Sequence, residues 1–274
     1  GVYKPGQSVA LYVNGVKVAE DTSNVPAAIA LSGRFRIGAR ADNATQGLWD
    51  GQIDDVRIAG RALSESEIQE LMNTGGGLWQ FNEGSGNLAS DVSGNNNHGT
   101  IQGATWTSGM TGHALDFDGE TNYVAFEREP ALQGEMTVSA WVRPETGPNG
   151  VGRLVVNTYE YNGGNGNQRG WFLGDEHGDT DYFYFRVHGP GGDYAAAIYG
   201  GFFAEYDDQW VHVTGVYKPG QSVALYINGV KEAEDTRNVP ASIALSGRFR
   251  IGARADNTTQ GHWDGQIDDV RITG

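Results

Sequence analysis

Cysteine is absent from the 274 residues of this chain. The sequence therefore offers no disulfide framework, no cysteine nucleophile and no thiolate metal ligand. It also lacks any apolar run near the ~18 residues that cross a bilayer, which argues against membrane insertion. Basic residues are scarce, with 19 against 34 acidic ones and a net charge of −15. Because such a charge repels phosphate backbones, nucleic acid is not expected as a partner.

Glycine, in contrast, is abundant, with 42 residues and no Gly-X-Y period. Together with Tyr, Trp and Val it indicates many short strands joined by tight turns. Asn228–Gly229 lies between two apolar runs and is a strong signal for a two-residue hairpin, and Asn14–Gly15 repeats it. We therefore predict an all-β sandwich of two antiparallel sheets. Strands are predicted on both sides of Asn228 and at 78–81, 113–117, 123–126, 136–142, 154–158, 170–173, 182–187, 194–199, 209–217, 249–251 and 267–272.

The chain also repeats itself at an offset of 214 residues. Residues 1–60 and 215–274 differ at only seven of 60 positions. A period this long exceeds that of solenoid or propeller repeats and indicates a whole domain. We interpret 1–72 as the C-terminal part of a preceding repeat, 73–76 as a linker and 77–274 as a complete domain. The chain is thus expected to be a portion of a longer tandem array.

A single helix is predicted next to that linker, over 63–72. Ser64 and Glu67 have the spacing of a capping box, in which each side chain accepts a hydrogen bond from the other residue's backbone. The apolar residues that follow fall on one side of a short helix. The glycines at 75–77 then end it.

Several stretches occur together in the order that marks a known family. They are GLWQFNEGSG from residue 77, ALDFDGETNYVAF at 114–126, MTVSAWVRP at 136–144, QWVHVTGVY with LYINGV, and WDGQIDDVRI. Residues 77–274 resemble a laminin-G-like domain of the concanavalin A-like lectin/glucanase superfamily, and 1–72 resemble its second half. The resemblance implies a concanavalin A-like jelly-roll sandwich. It implies little about function, because that fold occurs in lectins, adhesion modules, pentraxins and glycosidases.

The resemblance also suggests positions for a structural Ca²⁺ ion. In the glucanase relatives an aspartate of the matching strand binds calcium, and register places Asp268 there, with Asp54 as its counterpart in the first copy. Asp118, Asp256 and Asp264 lie in segments comparable to calcium-binding loops of pentraxin relatives. Calcium takes six to eight oxygen ligands, so one carboxylate with carbonyls and waters would suit it. Alternatively, Asp268 accepts hydrogen bonds from backbone amides and the other aspartates form turns.

Aromatic residues on the predicted strands of one sheet are candidates for ligand binding. Trp171, Tyr182 and Tyr184 are proposed to stack on a sugar ring, and Tyr194 and Tyr199 follow on the next strand. Core packing explains such residues equally well, since alternation directs half of them inward. Catalysis is not expected: the E-x-D-x-x-E pattern that supplies two carboxylates in the laminarinase relatives is missing.

These features favour a non-catalytic module located outside the cell or on its surface. The leading hypothesis is a repeat of a tandem adhesin or filament-forming protein, stabilised by calcium, whose partners are neighbouring copies of itself in tandem or head to tail, glycans or cell-surface proteins. The alternative is a carbohydrate-binding module of a secreted polysaccharide-active protein. Because residues 1–60 contain only about the final third of a sandwich, we predict that strands of a neighbour complete them, either a covalent predecessor in the array or a swapped copy.

Overall fold

The computed structural model describes residues 1–13, 16–29, 35–40, 47–51, 53, 56, 58–65, 67–68, 76–130, 132, 134–145, 153–161, 168–175, 181–256 and 261–274. The chain divides into two compact units, Gly1–Asn73 and Thr74–Gly274. Among the described residues, no helix has the length and apolar character needed to cross a bilayer.

The first unit contains a three-stranded antiparallel sheet. Its strands are β1 (Val2–Lys4), β2 (Ser8–Val13) and β3 (Val16–Asp21), in the order β1-β2-β3. Val13 pairs with Val16, so two residues connect β2 to β3, as the Asn14–Gly15 signal predicts. Those two residues lie outside the described part of the chain.

The predicted capping box is present in the same unit. The Ser64 amide donates to Glu67 Oε2 at 2.7 Å, and the Glu67 amide donates to Ser64 Oγ at 3.2 Å. Glu65, Glu67 and Ile68 are helical, and the Ile68 amide donates to the Ser64 carbonyl. The rest of the predicted helix, 69–72, falls outside the described residues.

The described residues of the second unit form sixteen strands and one short helix. The strands are β4 (Gly77–Trp79), β5 (Leu88–Ala89), β6 (Gly99–Gln102), β7 (Thr105–Ser108), β8 (His113–Asp118), β9 (Tyr123–Ala125), β10 (Met136–Pro144), β11 (Leu154–Asn157), β12 (Trp171–Gly174), β13 (Tyr182–His188), β14 (Tyr194–Gly200), β15 (Val211–Lys218), β16 (Ser222–Ile227), β17 (Val230–Asp235), β18 (Arg250–Ile251) and β19 (Asp264–Thr273), and the helix is α1 (Phe202–Tyr206).

These strands form two eight-stranded sheets. In sheet A the order is β17-β16-β15-β10-β19-β8-β7, with β4 also paired to β19; in sheet B it is β14-β13-β12-β11-β18-β9-β6-β5. Every pairing between these strands is antiparallel. Asn228 and Gly229, which connect β16 to β17, both have positive φ, as a type I′ hairpin turn requires. The predicted all-β, concanavalin A-like jelly-roll architecture is confirmed.

The core lies between the two sheets. Strand β10 alternates fully buried with half-buried residues along its whole length, the period of a strand with one face on a core. Gly215 on β15 passes so close to β13 that a Cβ there would overlap the Phe185 ring. Three tryptophans are completely buried in this core: Trp79, Trp171 and Trp263.

The structure adds elements that the sequence pattern did not indicate. Strands β5, β6 and β7 have two to four residues each and were not predicted. The short helix α1, Phe202–Tyr206, was not predicted either. This helix forms because Phe202 and Phe203 are both buried in the core, and it ends before Asp208, whose φ is positive.

Candidate functional site

The outward side of β13 carries a row of aromatic and basic side chains. Phe183, Phe185 and Val187 belong to the core, so the alternating residues of the strand point away from it. Those residues are Tyr182, Tyr184, Arg186 and His188. With Phe172 of β12 and Tyr194 of β14 they form what we call the aromatic face.

Arg186 lies at the centre of this face. Its guanidinium carbon is 5.4 Å from the ring centre of Phe172, 5.3 Å from that of Tyr184 and 5.4 Å from that of Tyr194. Cations are attracted to aromatic faces at such distances. The half-buried guanidinium is therefore held in one place by rings from three adjacent strands.

His188 closes the row at the end of β13. Its ring centre is 5.7 Å from that of Tyr194, and only 2% of the residue is exposed. Burial and, to a smaller extent, the positive charge of Arg186 together lower the pKa of His188 to about 4. The imidazole is therefore neutral at pH 7, and its buried Nε2 has no hydrogen-bond partner among the described residues.

A cleft of about 710 Å³ opens beside the aromatic face. One wall is the outward side of β13 and β14, and the other is the end of β17 with the turn that follows it. Asp235 connects the walls: its carboxylate accepts hydrogen bonds from the Ala196 amide at 3.5 Å and from the amide and Nε of Arg237. The lining residues are Arg186, Gly192, Asp193, Tyr194, Ala196, Ile198, Asp235, Arg237, Asn238 and Val239.

The Asp235 carboxylate of the cleft is ionised at neutral pH. Burial raises the pKa of Asp235, but the hydrogen bonds from Arg237 and Ala196 outweigh burial and leave the pKa below its ordinary value. The Arg237 side chain is 87% exposed. The cleft thus combines an apolar, aromatic wall with a carboxylate and a guanidinium at its rim.

The three predicted ligand-binding aromatics differ in position. Tyr182 is 46% exposed, and its ring packs edge-on against Tyr184, which is only 7% exposed. Trp171 is completely buried in the core, so its prediction as a sugar-stacking residue is wrong. The physical reason is strand alternation, which directs Trp171 inward and leaves Phe172 on the aromatic face.

Two of the predicted metal-ligating aspartates are neighbours at the end of sheet A. Asp118 of β8 pairs directly with Asp264 of β19. The Asp118 carboxylate accepts three backbone amide bonds and the Thr121 hydroxyl; although burial opposes this, its pKa falls to about 2. The pKa of Asp264 is raised by burial and by the negative charge of Asp118, while Arg153 acts in the opposite direction.

The other predicted metal ligands lie apart from that pair. Asp256 forms an ion pair with Arg254 at 2.6 Å and accepts the Tyr161 amide. Asp268 is fully buried and accepts hydrogen bonds from the amides of Thr111 and Asp269. Asp54 lies outside the described residues. Within the described part of the chain, no three His, Asp or Glu side chains are grouped so as to hold a metal ion, and calcium binding stays a prediction.

Comparison with known families gives the identity of the fold. A laminin-G model, described as concanavalin A-like lectin/glucanases superfamily, matches residues 1–69 and 118–274. The chain belongs to this superfamily. Both copies of the 60-residue repeat fall within the match. Among curated protein sequences, none matches the chain significantly.

Several solved structures are similar to the chain. The binding domain of Paraclostridial Mosquitocidal Protein 1 has 18% identity and a TM-score of 0.55 over 75% of this chain and 49% of that one. Domain 4 of AbnA, a GH43 extracellular arabinanase from Geobacillus stearothermophilus solved with arabinotriose, has 20% identity and a TM-score of 0.50 over 72% and 90%. The ligand-binding domain of botulinum neurotoxin serotype D, solved with N-acetylneuraminic acid, has 17% identity and a TM-score of 0.50 over 72% and 46%. The chain thus spans about half the length of the toxin domains, and these likenesses establish a shared fold.

Sequence reasoning missed most of the cleft. Arg186, Asp235 and Arg237 were not predicted as site residues. The alternation in YFYFRVH from Tyr182 could have indicated Arg186, since it places that residue on the same side as Tyr182 and Tyr184. The approach of β17 to β14 could not be inferred, because these edge strands belong to different sheets.

Proposed function

We propose that the second unit is a non-catalytic carbohydrate-binding module and that a saccharide occupies the cleft beside β14. The observation that carries this proposal is the position of Arg186, held among three aromatic rings at the wall of an open cleft. Ligand sites of this kind combine an apolar wall with a few fixed polar groups.

The chemistry of the cleft suits a sugar. Tyr194 is 54% exposed and offers a ring on which the apolar face of a pyranose or furanose can stack. Asp235 and Arg237 lie opposite and supply an acceptor and donors for hydroxyl groups. Arg186 is already fixed by its neighbours, so its donors lose little freedom when they bind a ligand.

The structural neighbours support the same class of ligand. Two of them were solved with saccharides bound, arabinotriose in the arabinanase domain and N-acetylneuraminic acid in the toxin domain. The absence of catalysis is part of the proposal. Its support is the sequence, which lacks the E-x-D-x-x-E pattern that supplies two carboxylates in the laminarinase relatives.

A second proposal concerns the protein in which this module works. Seven differences in 60 positions between the two copies favour a tandem array that uses its repeats as a scaffold, located outside the cell as an adhesin or filament. The acidic surface would keep such an array soluble. The two proposals are compatible, since a scaffold repeat can also bind a glycan.

Titration calorimetry of the full chain tests the carbohydrate proposal, with arabinotriose and N-acetylneuraminic acid as the first probes and a glycan array as the survey. Tyr194→Ala is expected to weaken binding at least about tenfold, or ~1.4 kcal/mol. Arg237→Ser, which restores the residue found at position 23 of the first copy, removes a donor at the rim and is expected to weaken binding less.

The matched control is Trp49→Ala, which removes an exposed ring from the first unit and is expected to leave affinity unchanged. An array without a single saccharide signal, or a Tyr194→Ala variant that binds as tightly as the original chain, would contradict the proposal.

A further inference from the structure

The aromatic face has an exposed tyrosine at each of its two ends. Tyr182 at the start of β13 is 46% exposed, and Tyr194 of β14 is 54% exposed. Strand pairing fixes their positions, because Tyr182 pairs with Gly200 and His188 pairs with Tyr194. Residues paired in this way have their side chains on the same side of a sheet, so both tyrosine rings belong to one surface.

The distance between these two rings exceeds the length of a small sugar. Tyr182 and His188, the partner of Tyr194, are the first and last residues of the seven-residue strand β13. A strand rises about 3.4 Å per residue, so the two tyrosine positions lie roughly 20 Å apart along the sheet. A monosaccharide or disaccharide spans much less than this distance, whereas an extended oligosaccharide spans it.

The surface between the two tyrosines follows β14. The outward residues of this strand are Tyr194, Ala196, Ile198 and Gly200. The first three of them line the cleft described above. Ile198 is 46% exposed, and the small residues Ala196 and Gly200 alternate with the larger ones, which leaves space above the strand at both positions. The cleft and Tyr182 are thus parts of one strip along β14.

Gly200 determines how the ring of Tyr182 is held. A Cβ atom at position 200 would lie 3.0 Å from Cε1 and 3.3 Å from Cδ1 of that ring. These distances are shorter than ordinary van der Waals contacts, so glycine allows the ring to lie against β14. An edge-on contact with Tyr184, at 6.2 Å between ring centres, also holds the ring. A ring that is fixed and still exposed loses little freedom when a sugar stacks on it.

We propose that the ligand of the cleft is a linear oligosaccharide that stacks on Tyr194 with one of its sugars and on Tyr182 with another. The sugars between them lie over Ala196 and Ile198. Arg186, which pairs with Ala196, donates hydrogen bonds to hydroxyl groups of these central sugars. This inference rests on the proposed function, since it concerns the same cleft. It describes a module that binds within long saccharide chains instead of one that binds single sugars.

Binding of the full chain to an array of linear glycans, each present as a series from disaccharide to octasaccharide, tests the proposal. Arabinan, xylan and cellulose fragments are the probes. Affinity for the bound glycan is expected to rise at least about tenfold from the disaccharide to the octasaccharide, since only the longer chain contacts both rings. Tyr182→Ala is expected to abolish this rise and to leave disaccharide binding unchanged, whereas Tyr194→Ala weakens binding at every length.

Two further variants are the controls. Tyr182→Phe keeps the ring and is expected to keep the rise in affinity with length. Tyr161→Ala removes a tyrosine that is 44% exposed and packs against Arg254 after β18, and it is expected to behave as the original chain does.

The possible outcomes separate this inference from the proposed function. A glycan bound equally well at all lengths, or a Tyr182→Ala variant that keeps the rise, would overturn the two-ring site and leave saccharide binding in place. Loss of disaccharide binding in Tyr182→Ala would overturn it too, because the two rings would then not be separate subsites. An array without any signal would refute the proposed function itself, and this inference with it.

Discussion

Residues 1–60 and 215–274 are nearly the same sequence in two different environments. Both form the hairpin, β2–β3 in one and β16–β17 in the other, with the same register shift in the middle. They differ at the other end. Residues 264–273 form the ten-residue strand β19 between β10 and β8, whereas the described residues among 50–59 form no strand. The hairpin is thus determined locally, and the last strand requires partners from elsewhere in the fold.

The comparison extends to the candidate site. Asp21 and Asp235 both accept the amide of the residue two positions later. Among the described residues, Asp235 alone of the two also accepts a hydrogen bond from a neighbouring strand, from the Ala196 amide. Two positions after this aspartate the second copy has Arg237, where the first copy has Ser23. A binding cleft therefore arises where the repeat meets β13 and β14, and not from the repeat by itself.

The largest expected difference between the two copies is in the unfolding free energy lost when the equivalent tryptophans, Trp263 and Trp49, are replaced. Trp263→Ala removes a fully buried side chain and is expected to lower the free energy of unfolding of the second unit by about 3–5 kcal/mol. Trp49→Ala removes a mostly exposed one and is expected to change the free energy of unfolding by less than about 0.5 kcal/mol. Denaturant titration of both variants measures the two effects. Equal losses of unfolding free energy would mean that Trp49 is buried as Trp263 is.

A smaller contrast is expected at the paired glycines. Gly215→Ala puts a methyl group into the Phe185 ring and should cost about 1–3 kcal/mol of unfolding free energy. Gly1→Ala has only the Ala10 carbonyl nearby, at 3.6 Å, and should be neutral. Thermal unfolding of the two variants is the measurement. A neutral Gly215→Ala would show that the sandwich is looser at this point than the structure indicates.

The stability of the second unit is expected to depend on pH through Asp268. Its burial raises the pKa of the carboxyl to about 6, so the folded chain holds this proton to a higher pH than the unfolded chain does. Stability from this group is therefore complete at low pH and is lost as pH rises through about 6. We expect Asp268→Asn, which stays neutral, to gain stability relative to the original chain between pH 4 and pH 7. A constant difference across that range would contradict the raised pKa.

Calcium bound at Asp268 would change the stability near pH 7 in the opposite direction. A cation favours the charged carboxylate, so calcium would raise the melting temperature near pH 7 and a chelator would lower it. Asp268→Asn would lose most of that response. Identical melting curves with calcium and with chelator would refute the calcium site that the sequence predicts.

The smallest expected effects are at a pair of exposed ion pairs that both copies share. Lys17 and Glu20 lie 3.0 Å apart, and Lys231 and Glu234 lie 2.8 Å apart. Lys17→Met and Lys231→Met should each leave the free energy of unfolding nearly unchanged, because exposed ion pairs contribute little to stability. Chemical denaturation of both variants checks this. A clear loss at Lys231 alone would show that even this local feature depends on its surroundings.

The elements that local sequence determines were the ones that could be predicted. The turn at Asn228–Gly229 and the capping box of Ser64 and Glu67 depend on residues close in the chain, and both are present. Strands β5, β6 and β7 are too short to show a clear alternation. Strand β6 pairs with β9, about twenty residues further along the chain, whereas β7 pairs with the next strand, β8, through a short turn that carries no Asn-Gly signal.

The candidate site was less predictable for the same reason. Tyr182 lies on an exposed face and Trp171 is fully buried. The sequence did not separate the two, because all four residues of β12 are buried and its pattern gives no inward side. The pairing of Asp118 with Asp264 depends on the register of β8 and β19, which contacts distant in sequence establish.

Amide hydrogen exchange of the full chain is the most direct test of the claim that the repeat sequence is buried in a sandwich in the second unit and exposed in the first. Peptides from the two copies differ in mass at Val13 and Ile227 and at Val18 and Glu232, so mass spectrometry can follow them separately. The structure predicts that the amides of β16 exchange at least about 1,000-fold more slowly than those of β2, because β16 opens only when the sandwich unfolds. Equal protection of β2 and β16 would contradict it.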